Sequence, residues 1–63
     1  MTERNKKLGQ MLTDIGNMYR FLGEENTFRA LAYKRASNTI LGLPKDILHY
    51  ENEGNLSDLP AIG

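Results

Sequence analysis

An all-α fold, a small bundle of three to four short helices, is what this sequence predicts. Three observations predict it. Apolar residues recur every three or four positions from Leu8 to Leu22 and again from Phe28 to Ile40, the spacing that gathers side chains on one helix face. Gly23 and Gly42 stand just past those two runs, where helices commonly end. No repeat, low-complexity run or linker lies between the segments, so they are joined by the short connections of a small bundle.

The first helix is expected from Asn5 to Leu22, with Leu8, Met11, Leu12, Ile15, Met18, Tyr19 and Leu22 on its buried face. Met11 and Met18 read as gap fillers within that stripe. Gly9 and Gly16 fall at its margin. Each costs about 1 kcal/mol against Ala in a helix. The pair therefore has two readings, a close approach by another backbone or simply a weak helix.

The second helix is expected to start at Thr27 with Asn26 as its N-cap and to run to Leu41, because an Asn side chain can accept from the unpaired amides of a first turn. Its core arc comprises Phe28, Leu31, Ala32, Ala36 and Ile40, with Lys34 pointing to solvent. Arg35 falls inside the arc, so its stem is expected along the core with its guanidinium paired. Arg29 and Tyr33 are neighbours at the arc's edge, four residues apart. A cation beside a phenol near a helix start can hold a phosphate. The same pair is also an ordinary amphipathic boundary, the reading that spacing alone favours. Glu24 and Glu25 suit the positive end of this helix, and they count against an anion there.

Pro44 is expected at the first position of a third helix and Asp46 in its first turn. Ile47 and Leu48 face the core, and Tyr50 lies near the boundary. After the polar turn Glu51–Asn55, Asn55 is read as the cap of a last turn, Leu56–Leu59, with Asp58 completing a near capping box. The ending Leu59-Pro60-Ala61-Ile62-Gly63 looks like a tight connection.

The composition bounds the function. Sixty-three residues form one domain, and a domain of this size buries only about 60% of its unfolded surface. There is no cysteine, which excludes disulfides and thiolate zinc sites and fits an intracellular setting. No apolar run approaches the roughly 20 residues of a membrane span, and Thr2-Glu3-Arg4-Asn5-Lys6-Lys7 is not followed by a signal-peptide core. The chain is expected to be mature, soluble and cytoplasmic, with no membrane partner. Eight basic and eight acidic residues balance, so net charge lends no support to nucleic-acid binding. Any phosphate must be bound locally. Arg29, Lys34 and Arg35 cluster in the middle of the chain, whereas Glu51, Glu53 and Asp58 collect toward its end.

Little catalytic chemistry is written here. Phosphate loop, dinucleotide fingerprint and Ser-His-Asp order are absent, and His49, the single histidine, has no partner at metal or triad spacing. Neither cofactor nor metal is expected. Lys34, between Arg29 and Arg35, is the one candidate amine nucleophile, since neighbouring like charge disfavours an ammonium. Its solvent-facing position weakens that effect.

Three stretches carry a family resemblance: the first helix ending in Leu22-Gly23-Glu24; Asn26-Thr27-Phe28-Arg29 followed by Ala32-Tyr33-Lys34-Arg35-Ala36; and Leu56 with Leu59-Pro60-Ala61-Ile62-Gly63. From about Asn5 to Gly63 the chain resembles the small amino-terminal, helix-hairpin-helix domain of family X DNA polymerases, of bacterial or archaeal type. The middle stretch is the most specific part, and the last resembles the hairpin turn. The resemblance implies a domain that binds gapped or nicked DNA at the 5′-phosphate of the downstream strand. Arg29 and Tyr33 match positions lining the phosphate pocket, with Lys34 beside them, and Ile62 and Gly63 would present backbone amides to a DNA phosphate. Phe28 matches a position where some members place a ring against the template.

Departures limit what is carried over. Thr27 replaces a common proline, and Ala61 replaces the usual first glycine of the hairpin, which weakens close backbone approach. In members with deoxyribose-phosphate lyase activity the Schiff-base lysine lies on the helix after Gly63, and the polymerase carboxylates lie in later domains. The 1–63 chain is therefore expected to be the N-terminal fragment of a larger polymerase, monomeric, ending in an incomplete helix-hairpin-helix and without catalytic activity. Its partners would be gapped or nicked DNA and the remaining polymerase domains. The alternative from another class is a helical protein-interaction module with little DNA affinity. A lyase using an internal lysine is the third reading.

Overall fold

The protein is seen in a computed structural model that describes residues 2–62. Helix α1 spans Glu3–Leu22, α2 Thr27–Leu41 and α3 Ile47–Asn52, with short 3-10 turns at Glu24–Asn26 and Leu56–Asp58. No strand occurs among the described residues, and the all-α expectation holds.

α1 starts before the expected Asn5 because Thr2 caps it: the Thr2 Oγ1 accepts from the Asn5 amide at 3.1 Å. At the other end Gly23, with φ 121°, turns the chain through a conformation that only glycine adopts freely. The expected Asn26 cap is not formed. Asn26 closes the 3-10 turn by donating its amide to the Gly23 carbonyl at 3.0 Å, and its side chain makes no capping bond. α2 then stops at Leu41 before Gly42, as expected.

α1 and α2 pack antiparallel, since Gly9 meets Leu41, Thr13 meets Ser37 and Gly16 meets Ala30 and Tyr33. Small residues form the seam. A Cβ on Gly16 would lie 3.3 Å from the Ala30 carbonyl oxygen and from the Tyr33 Cβ. Of the two readings of the glycine pair, the close approach is the one observed, and both glycines are buried at the centre of the contact rather than at its margin. Inside the seam the Ser37 hydroxyl donates to the Gly9 carbonyl at 2.7 Å and pairs with the Thr13 hydroxyl at 2.6 Å. These bonds satisfy polar groups that would be costly to bury alone.

This seam rotates both helices away from the expected faces. Ala30, Ser37 and Ile40 form the buried line of α2, while Phe28, Leu31 and Ala32 are exposed and Ala36 is half-buried. Met11, Met18 and Leu22 of α1 are likewise exposed, and Leu8, Leu12, Ile15 and Tyr19 are half-buried. Arg35 is exposed, and neither ion pair among the described residues includes it. The physical reason is distance. Glycine and serine let two backbones approach, so the closest line of contact carries small residues and the large apolar ones move to its flanks.

α3 is held to α1 by a side chain from the far end of the sequence. Asn5, fully buried, donates through Nδ2 to the Lys45 carbonyl at 2.7 Å and accepts through Oδ1 from the Ile47 amide at 2.8 Å. Asp46, expected inside the first turn, is instead the N-cap, accepting from the Leu48 amide at 2.9 Å and pairing with Arg4 at 2.8 Å. Pro44 precedes the helix rather than opening it. His49 is half-buried and lies 3.3 Å from Glu53, one turn on. The Asn55 side chain does not cap the last 3-10 turn, which is closed by the Asp58 amide donating to the Asn55 carbonyl at 3.1 Å.

The Asp46 cap predicts a pH dependence. The Leu48 amide, and after it the Arg4 side chain, hold the Asp46 carboxyl below its ordinary value. A carboxyl whose folded value is depressed contributes stability above its unfolded value and loses it as pH falls through the folded one. The start of α3 should therefore stay capped at neutral pH and fray only below the usual aspartate range. A pH titration following the Leu48 amide by NMR checks this, and a midpoint above that range would contradict it.

The chain turns again at Leu59–Ile62, where the Ile62 amide donates to the Leu59 carbonyl at 3.2 Å and Ala61 takes φ 63°. Proline second and a positive φ third are the demands of a type II turn. Alanine pays a steric penalty there that glycine does not. Ala61→Gly should stabilise the chain by roughly 0.5–1 kcal/mol, the relieved penalty less the extra freedom of unfolded glycine. Denaturant unfolding reads this directly, and a loss of stability would refute the strain at Ala61.

Candidate nucleic-acid interface

Two of the expected site residues come together, through a third that the sequence placed in the core. Tyr19, in the last turn of α1, faces α2 across the seam, where its ring stacks on that of Tyr33 with centroids 5.5 Å apart and planes 14° from parallel. The guanidinium carbon of Arg29 lies 5.8 Å from the centre of the same Tyr19 ring. Both tyrosines are half-buried and Arg29 is exposed. α1 thus supplies a platform on which two α2 side chains, one helical turn apart, are ordered.

The arrangement suits a phosphate. A guanidinium attracted to an aromatic face loses little further freedom on binding, and its edge N–H groups stay available for bidentate contact with oxygens. Neither of the ion pairs among the described residues, Arg4 with Asp46 and His49 with Glu53, involves Arg29. The Tyr33 hydroxyl adds a donor on the same helix edge.

Lys34 does not join them. At 100° per residue it stands about 140° around α2 from Arg29, and it lines a different hollow, with Arg20, on the other flank of the Ala30–Ser37 seam. The cluster Arg29, Lys34 and Arg35 is therefore a feature of the sequence and not of the surface. In the terminal turn the Ile62 amide is engaged by Leu59. Gly63 lies outside the described residues.

Among the described residues no group of His, Asp or Glu is placed to hold a metal ion, and no helix is long and apolar enough to cross a membrane. The model of one family, described as a helix-hairpin-helix domain, matches residues 3–63. No curated protein and no solved structure gives a significant match.

Proposed function

Because the chain belongs to the helix-hairpin-helix domain family, we propose that it is a noncatalytic DNA-binding domain of a family X repair polymerase, contacting the 5′-phosphate side of gapped or nicked DNA. The observation that carries the reading is the Arg29 guanidinium and the Tyr33 ring both ordered on Tyr19. Phosphate contacts position a protein on DNA without reading bases, so little sequence preference is expected. The balanced charge of the chain fits a local contact better than a broad electrostatic footprint.

The test is binding to gapped DNA with and without a 5′-phosphate at low salt. The phosphorylated end should bind more tightly, and Arg29→Ala should remove that preference. A charge-assisted hydrogen bond contributes about 1.5–3 kcal/mol, which corresponds to a loss of roughly ten- to a hundredfold. Equal, negligible affinity for both DNAs would reject the pocket.

A second reading is supported by a separate observation. Phe21 is 91% and Phe28 87% exposed, with Met18, Leu22 and Leu31 also exposed, an apolar display consistent with docking on another protein surface. Salt separates the two: phosphate binding weakens steeply as salt rises, whereas apolar docking does not.

A further inference from the structure

Across α2 from the tyrosine platform, two hollows of about 150 and 210 Å³ share Arg20, Ala30 and Lys34 in their walls. They form one groove along the α1–α2 seam. Gly16, with no side chain, and Ala30, with only a methyl, make its floor shallow and smooth. Arg20 rises from α1 on one side and Lys34 from α2 on the other. Asn17 and Asn38 line the first hollow, and Thr27 and Leu31 the second.

The charge of the lining is one-sided, although Thr13 and the apolar Leu31 also contribute to its walls. No carboxylate lines either hollow, and neither Arg20 nor Lys34 is in an ion pair among the described residues. A guanidinium fork and an ammonium shared by two adjoining hollows, with the Asn17 and Asn38 amides as further donors nearby, match the oxygens of phosphate groups, with bidentate geometry from Arg20 and a movable point charge from Lys34. A single water occupies about 30 Å³, so each hollow admits a phosphate together with part of its hydration.

We propose that this groove is a second anion site, on the flank opposite Arg29, that takes two successive phosphate groups, either consecutive phosphodiesters of a nucleic-acid strand or a free oligophosphate. It goes beyond the 5′-phosphate reading and uses none of its residues. With both sites filled, the hairpin of α1 and α2 would lie between two phosphate-bearing segments.

The experiment is an NMR titration of the full isotope-labelled chain with inorganic pyrophosphate and, separately, with a short oligothymidine lacking terminal phosphates. Saturable shifts of the Asn17 and Asn38 side-chain amides are expected with pyrophosphate, and the same shifts with the oligothymidine identify a strand as the source. Arg20→Gln with Lys34→Gln should weaken this binding at least tenfold, while Arg29→Gln leaves it unchanged. Both replaced side chains are exposed, and an unaltered helical circular dichroism spectrum establishes that the variant folds. Shifts confined to the Arg29 flank, or a double variant that titrates like the parent, would overturn the second site while leaving the 5′-phosphate pocket standing.

Discussion

Asn5→Leu should release α3 from α1 while leaving the α1–α2 hairpin in place. The substitution keeps the branched shape of the side chain, with bulkier methyl groups, and removes both hydrogen bonds, so the Lys45 carbonyl and the Ile47 amide lose their partner at once. An unsatisfied buried group costs about 1–3 kcal/mol. With two of them, separation of α3 and rehydration of its first turn become the cheaper outcome, all the more because α3 has only six residues and no fully buried side chain. Amide hydrogen exchange reads the result: Ile47 and Leu48 should exchange nearly freely, while amides from Ala30 to Ile40 keep most of their protection. Unchanged protection at Ile47 would show that Asn5 does not hold the helix. Asn5→Asp, which retains the acceptor and loses the donor, should fall between.

The helices themselves were legible in the sequence. Their periodicity and the glycines after them located α1 and α2 to within two residues at every boundary. The faces were not legible, because a wheel that assigns burial by apolarity assumes that the closest line of contact is apolar. Here Gly9, Thr13 and Gly16 meet Ala30 and Ser37, so the line is set by size and by hydroxyl pairing. Asn5 was illegible for a different reason. Its partners lie 40 and 42 residues away, and nothing local marks a polar residue that will cap a distant helix.

The candidate site divides in the same way. Arg29 and Tyr33 were legible because a spacing of four places side chains together on any helix. Tyr19 was not, since its part depends on α1 and α2 packing in one particular register, and its place in an apolar stripe suggested core. Lys34 was drawn toward Arg29 by adjacency in sequence, although its angle around α2 separates them. Arg20 carries no signal beyond a cation in the last turn of a helix, where it suits the dipole. Only the depression left by Gly16 and Ala30 gives it a counterpart in Lys34.

Ile40→Ala should remove a large part of the chain's stability, and Phe28→Ala should leave it nearly unchanged. Ile40 is 1% exposed and, with Ala30, makes up the buried apolar core among the described residues. Truncating such a residue costs about 2–5 kcal/mol. At roughly 0.05–0.15 kcal/mol per residue a chain this long has a total margin of only about 3–9 kcal/mol, so the loss consumes much of it. Phe28 is the larger side chain and carries more apolar surface, yet it is 87% exposed, and surface replacements usually stay within about 0.5 kcal/mol. The pair therefore tests the rotation of α2. If Phe28→Ala destabilises the chain as strongly as Ile40→Ala, the helix presents its large apolar arc to the core, the Ala30–Ser37 seam is misplaced, and Arg29 and Tyr33 lose the Tyr19 platform. Chemical denaturation of the two variants, with DNA binding measured on Phe28→Ala, separates a packing role from a surface role. A folded Phe28→Ala chain that has lost affinity for single-stranded template but not for the 5′-phosphate would make the exposed ring a stacking surface for a base.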